Sequence, residues 1–273
     1  MRVTVLGSGS RGNAFLVQAD GVSVLVDAGF SGKDLARRIE AVDVSPEAIA
    51  AIVVTHDHGD HTRGMGVFAR RFGTPLHLTP RTRRACRKLL RGNENVVEYD
   101  SAVPFRLGPM EVRPFLTVHD AADPVAVTVT DTRTGSRLGV ATDLGRPTTA
   151  VRHSLAGCHL LVLEANHDDE RLWAGPYPWS VKQRIASSHG HLSNRAASAL
   201  ARELYHEALA GVVLAHLSDS CNDPDMARDA VGLGLERTGF RGLLEVAEQD
   251  EPGDPIDVEA LRRRSAPAQL SLF

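Results

Sequence analysis

Residues 55–61 read Thr55-His56-Asp57-His58-Gly59-Asp60-His61. Five of these seven positions carry side chains that bind a metal or support one that does. On an extended chain alternate residues share a side, so His56, His58 and Asp60 face one way and His61 another. This spacing predicts two metals, with His56 and His58 on one and Asp60 and His61 on the other. Imidazole and carboxylate together suit zinc, manganese or iron rather than calcium or magnesium. The bland alternative is a polar turn that happens to be rich in histidine.

The element that must position this run is the apolar segment Ala51-Ile52-Val53-Val54, which reads as a buried strand. The cluster therefore sits where a strand gives way to a loop. The same arrangement recurs downstream. Strand signals at 112–116, 138–141, 160–163 and 212–215 run into His119, Asp143, Glu164 and His216, respectively. From this set His119 is chosen as the third nitrogen of the first ion and His216 as the added nitrogen of the second. Asp143 is chosen as the bridging carboxylate. Two nearby divalent ions would hold a water, lower its pKa and neutralise charge on a phosphoryl oxygen. Asp27, at the end of the strand Val22–Val26, is either a carboxylate that holds a ligand histidine from behind or a turn aspartate.

The chain has 273 residues and is 42% hydrophobic, enough for one large domain or two small ones. A formal net charge of −3 excludes a bulk basic field for nucleic acid, so any such contact is local. The three cysteines, Cys86, Cys158 and Cys221, are scattered and lack Cys-x-x-Cys spacing. That argues against a disulfide framework and fits a reducing, cytoplasmic setting. No signal peptide is read at the N-terminus, and no apolar run reaches the roughly 18 residues of a membrane span.

Other segments supply candidate substrate contacts. The turn Gly7-Ser8-Gly9-Ser10-Arg11-Gly12-Asn13 lacks the Lys-Ser/Thr ending of a P-loop, but offers Ser8, Ser10 and Asn13. A helix read over 80–91 carries Arg84 and Lys88 in a basic stripe, either a solvated face or a track for a phosphate backbone. Tyr177 and Trp179 stand either in the core or against a base. His167 and Asn222 are further pocket candidates, whereas His77, His153, His159 and His206 read as ordinary core or surface histidines. Further helices are read over 32–42, 65–72, 178–187, 193–206 and 223–239, the last with Asp223 as N-cap and Pro224 at its first position.

The His-x-His-x-Asp-His run resembles the signature of the metallo-β-lactamase superfamily. The likeness continues through Thr142-Asp143-Leu144-Gly145, Glu164-Ala165-Asn166-His167-Asp168, Gly190-His191-Leu192-Ser193-Asn194 and Leu214-Ala215-His216-Leu217-Ser218. These phrases, with Gly175-Pro176-Tyr177-Pro178-Trp179 and the early Gly-Ser-Gly-Ser-x-Gly-Asn, resemble the YycJ/WalJ-type subfamily over about residues 1–246. The resemblance implies an α/β (α+β) fold built as an αββα sandwich. It also implies a nuclease with two divalent ions, Mn2+ or Zn2+, acting on DNA as a 5′→3′ exonuclease in replication or repair. The interval between Asp143 and His216 is too short for the inserted domain of ribonuclease J-like enzymes. A Gly/Pro-rich arm of the ribonuclease Z kind and the Pro-Gly-His-Thr phrase of glyoxalase II-like thioesterases are missing. By likeness to ribonuclease Z-type relatives, His191 is either a general acid or phosphate clamp, or simply a helix-capping residue. Asp60 and His191 are the expected catalytic pair. The alternatives are a hydrolase of RNA or a small cyclic phosphodiester on the same metals, or an adaptor whose metal site is structural.

From Glu248 onward the composition turns acidic and proline-bearing, then basic at Arg262-Arg263-Arg264. This reads as a hydrolase domain over 1–247 followed by a flexible tail over 248–273. The tail ends in Gln269-Leu270-Ser271-Leu272-Phe273, which resembles the bacterial sliding-clamp-binding pentapeptide at every position. Leu272 and Phe273 would anchor in an apolar groove, with Gln269 as a polar pin. The other reading is an apolar end folded back on its own domain.

Overall fold

Val24 and Val26 leave their strand on one side and Leu25 on the other, and all three are buried. A strand covered on both faces lies between two layers. The computed structural model, which describes residues 1–265, shows those layers. One seven-stranded sheet holds β1 (Arg2–Gly7), β2 (Ala14–Ala19), β3 (Val22–Val26), β4 (Ile49–Val53), β5 (Leu76–Leu78) and β6 (Val96–Glu98). The other, also of seven strands, holds β7 (Phe105–Leu107), β8 (Met110–Leu116), β9 (Val125–Asp131), β10 (Arg137–Ala141), β11 (Leu160–Glu164), β12 (Gly211–Ala215) and β13 (Leu243–Val246). A short β14 (Ile256–Asp257) completes the first sheet by pairing antiparallel with β1.

Valines dominate the layer between the sheets: Val3, Val17, Val24 and Val53 meet Val127, Val140, Val162 and Val213. The opposite faces are covered by helices. On the first sheet α1 (Gly32–Glu40) and α3 (Met65–Phe72) place Leu35, Ile39 and Phe68 over Leu16, Leu25 and Ile52. On the second, α5 (Thr149–Leu155), α8 (Asn194–Leu204) and α9 (Pro224–Glu236) place Leu155, Leu200 and Val231 over Leu161, Leu163 and Leu214. Short helices α2 (Gly59–Thr62), α4 (Pro80–Ala85), α6 (Asp169–Ala174) and α7 (Trp179–Ile185) lie in the connections, and α10 (Val258–Ser265) follows β14. This is the expected αββα sandwich. No described helix is long and apolar enough to cross a membrane.

Strand direction explains why the chemistry gathers at one edge. β3 and β4 run parallel, as do β10, β11 and β12. β8 is antiparallel to β9, and β9 to β10, so β8 points the same way as β10. The loops after β3, β4, β8, β10, β11 and β12 thus leave from C-terminal strand ends, where open α/β sheets bind their ligands.

Two expectations need correction. The helix read over 80–91 stops at Ala85 and continues only as a 3₁₀ turn over Cys86–Lys88. The Glu94 carboxylate takes the amides of Arg91 and Gly92, at 2.9 Å each to its nearer oxygen, and the chain turns there into β6. The supposed tail from residue 248 is in large part structured. Ile256, Val258 and Leu261 are buried in the inter-sheet core, and Ser8 N donates to Glu248 O at 2.9 Å. These burials outweigh the polar composition that suggested a tether, so the body extends through Ser265. Residues 266–273, with the expected clamp peptide Gln269–Phe273, lie outside the described residues.

Candidate metal centre

His56 and His58 leave β4 on extended backbone, but the alternation expected through Asp60 ends there. His58 is the N-cap of α2, and that helical turn swings Asp60 and His61 together toward a second group. Gly29 permits this approach: a Cβ on it would stand 1.6 Å from the Asp60 carbonyl oxygen. Asp27, Asp143 and His216, each just beyond a strand, hold left-handed backbone with φ of 63°, 58° and 57°. Such conformations cost roughly 1–3 kcal/mol each for non-glycine residues and cluster at functional sites.

Three overlapping sets of ligand atoms result, one of them Asp143, Glu164, His191 and His216, whose Glu164 is already engaged by hydrogen bonds; the other two hold the expected residues. His56, His58, His119 and Asp143 bring one atom each within 4.8 Å of one another, and so do Asp60, His61 and His216. Asp143 faces both. Its Oδ1 lies 3.4 Å from His119 Nε2 and 4.0 Å from His56 Nε2, while Oδ2 lies 3.1 Å from His61 Nε2. His216 Nε2 and Asp60 Oδ2 are 3.1 Å apart. All seven expected ligand residues therefore converge.

Every imidazole of the two groups except His58 is aimed from behind. Thr55 Oγ1 lies 3.0 Å from His56 Nδ1 and donates to Asp27, whose Oδ2 lies 2.7 Å from His61 Nδ1. Asp27 is thus the carboxylate behind a ligand-type histidine, not merely a turn residue. His119 Nδ1 donates to Gly190 O at 3.0 Å. These bonds fix the tautomer and leave Nε2 for the centre, the usual arrangement behind metal-ligating histidines. His58 differs, presenting Nδ1 at 3.2 Å from His119 Nε2.

The residue that sequence reasoning missed is Glu164. It is fully buried at the end of β11 and accepts four hydrogen bonds. His191 Nδ1 and His216 Nδ1 donate to Oε1 at 2.8 and 2.9 Å, while Leu144 N and Leu192 N donate to Oε2 at 2.7 and 3.0 Å. So engaged, Glu164 orients two histidines rather than offering an oxygen of its own. Burial disfavours its charge, but His191 and His216 overcome that and hold the carboxyl at about 2. A strand ending in a carboxylate was visible in the sequence, but nothing local ties Glu164 to residues so far along the chain.

The set fits a divalent cation. His56 Nε2 and both Asp143 oxygens are buried without a hydrogen-bond partner. Unpaired buried carboxylate oxygens cost several kcal/mol unless a positive charge meets them. Burial opposes ionisation of Asp143, yet His216, His61 and His56 together hold it well below the ordinary carboxylate range. Against burial, which acts the other way, Asp143 and Asp60 push His216 up to about 10. The centre demands positive charge, and nitrogen and oxygen donors suit a zinc-like ion.

Beside the centre opens a cleft of about 290 Å³, lined by Ser10, Asp143, Tyr177, Arg184, His191 and His216 among others. Ser10, Tyr177 and His191 thus stand where substrate would. Ser8, Asn13 and Asn222 do not, because each is buried and occupied. Ser8 Oγ donates to Asn13 Oδ1 at 2.7 Å and accepts from His216 N at 2.9 Å. Asn13 Nδ2 lies 3.3 Å from Asp60 Oδ2, so Ser8 and Asn13 brace ligand-type residues while Ser10 of the same loop faces the cleft. Asn222 donates to Ala165 O at 2.7 Å and exchanges bonds with Asn194. His167 is buried and does not line the cleft. Nor do Arg84 and Lys88, exposed on α4 and the following turn. Trp179 is exposed at the start of α7 rather than in the core. Arg184 and Ile185 line the cleft unforeseen.

Residues 23–216 match the β-lactamase superfamily domain. The chain belongs to that superfamily. It is 34% identical to the exodeoxyribonuclease YycJ of Bacillus anthracis, over 95% of this chain and 98% of the relative. To the exodeoxyribonuclease WalJ of Streptococcus pneumoniae it is 32% identical, over 83% and 85% of the two chains. The metallo-β-lactamase fold protein YhfI of Bacillus subtilis superposes with a TM-score of 0.71 at 20% identity, covering 92% of this chain and 98% of that one. The expected subfamily resemblance holds, and the chain is a metal-dependent hydrolase of this superfamily.

Proposed function

We propose that this hydrolase is a dinuclear nuclease that trims DNA from a strand end with 5′→3′ polarity in replication or repair. The observation that carries the reading is Asp143, which turns one oxygen toward each of two ligand groups. Bound there, two divalent cations supply Lewis acidity and a lowered water pKa. His56, His58 and His119 would hold the first, Asp60, His61 and His216 the second, with Asp143 available to either. His191, with Nδ1 committed to Glu164, keeps Nε2 for a phosphate oxygen or the departing oxygen and is the group placed to give it a proton. Glu164 fixes the orientation of that ring through the 2.8 Å bond to its Nδ1. Ser10 and Tyr177 offer hydroxyls along the cleft wall. The names of the two relatives support DNA as substrate.

The test is digestion of end-labelled DNA, RNA and a small phosphodiester by the metal-loaded chain, with its metal content measured. Two Zn or Mn per chain and preferential release of nucleotides from the 5′ DNA end are expected. Asp143→Ala and His58→Ala abolish hydrolysis while the fold survives. Retained turnover in both variants defeats the metal mechanism, and a preference for RNA or the small diester defeats the choice of substrate. We propose further that Gln269–Phe273 dock on the sliding clamp and raise the local concentration of the enzyme at DNA. Deleting those five residues abolishes clamp binding; binding that persists, or was never present, removes this part.

A further inference from the structure

We infer that Trp173 and Trp179, with Lys182 and Arg184, form a stacking rim that receives the bases of a single-stranded DNA end at the mouth of the cleft. This rests on the nuclease reading and assigns the part of the surface that holds the strand.

Trp173, the penultimate residue of α6, is 43% exposed; Trp179 opens α7 and is 64% exposed. Their ring centroids are 5.1 Å apart at 41°, so the indoles touch and together form one apolar surface open to water. No residue of α7 is buried, so this helix does not serve the core. It borders the cleft instead. Tyr177, just before it, and Arg184 and Ile185, at its end, all line the cavity. Trp179 stands two residues beyond the cleft-lining Tyr177 and about 8 Å along the helix from Arg184, which brings the indole pair near the mouth of the cleft.

Charge decides the occupant. In a chain of formal net charge −3, α7 carries Lys182 and Arg184 and no acidic residue. Lys182 Nζ donates to the Trp173 carbonyl at 2.7 Å, which brings the ammonium to the end of α6 and the aromatic pair. Arg184 is anchored on Asp120, which in turn lies beside His58 and His119. Aromatic faces beside cations suit a polyanion with flat bases. Stacking accepts every base, because each has a π face, and the cations meet the backbone.

The test uses the metal-loaded full chain and a single-stranded oligothymidylate, intact or with abasic sugars at the end attacked. In the unaltered chain, added oligothymidylate quenches tryptophan fluorescence and the abasic oligomer does so weakly. The abasic substrate raises KM roughly 5- to 100-fold, the range for loss of base stacking. Replacing both residues (W173A with W179A) raises KM for the intact strand similarly without lowering kcat. The two losses do not add, because they remove the same contact. Trp→Phe at both positions restores most of the binding. An unchanged KM in the double alanine variant overturns the inference, as do additive losses or a phenylalanine variant as weak as the alanine one. A variant that dissociates a dimer yet keeps its KM assigns the indoles to self-association and overturns it too. If the unaltered chain leaves DNA intact, the nuclease reading itself falls and takes this inference with it. Should the variants fail to fold, quenching and the abasic KM in the unaltered chain decide alone.

Discussion

Glu164 shows how one buried side chain governs a centre it does not itself ligate. Its two oxygens take four donors, and two of those are rings that face the chemistry. Glu164→Gln keeps the shape but puts an amide N–H against donors, so the His191 and His216 rings lose their alignment. Metal affinity or kcat falls by about 10- to 100-fold, the usual cost of removing a partner behind a ligand histidine. Competition titration with a chelating dye and steady-state kinetics check this, with circular dichroism confirming that the fold is kept. The ligand-type residues that converge were legible because their types are rare, because His56–His61 are spaced locally, and because His119, Asp143 and His216 each follow an apolar strand. Of the braces only Asp27 was, as one of two readings; Glu164, Ser8 and Asn13 were not. Ser8 and Asn13 read as candidate substrate contacts because their partners, His216 and Asp60, lie far along the chain.

At the level of elements, His159 illustrates a join that responds to acid. It stands just before β11, and its Nδ1 accepts from Arg137 N of β10 at 3.0 Å. Burial, with Arg262 and His206 nearby, lowers its pKa to about 4. The unfolded chain, with an ordinary histidine near 6.5, takes up a proton first as the pH falls. Its contribution to stability is therefore complete above pH 6.5 and lost progressively toward pH 4. His159→Asn keeps an acceptor for Arg137 N and flattens the fall of Tm across that window; an identical fall in the variant refutes the assignment. Strands such as β3, β11 and β12 were legible because burial on both faces gives continuous apolar runs. β6 and β7 escaped notice, being three residues each and largely exposed. β14 and α10 escaped because only Ile256, Val258 and Leu261 commit that polar segment to the core.

Across the whole molecule the centre is a seam. His56, His58, Asp60 and His61 follow a strand of the first sheet, and His119, Asp143 and His216 follow strands of the second. Metal held by both halves stabilises the folded chain by mass action, by about 2.7 kcal/mol at a free concentration 100 times Kd. For a domain this large that is roughly 5–10 °C in Tm. Removal of metal with a chelator lowers Tm by that order, and zinc or manganese restores it; a melt indifferent to chelation counts against a shared site.

The division of that seam also sets a timetable. The first four ligand residues are synthesised before any strand of the second sheet exists, and His216 comes after β11. A half-made chain on the ribosome therefore carries only part of the donor set. Hydrolytic power arrives only when the late strands close over the early ones.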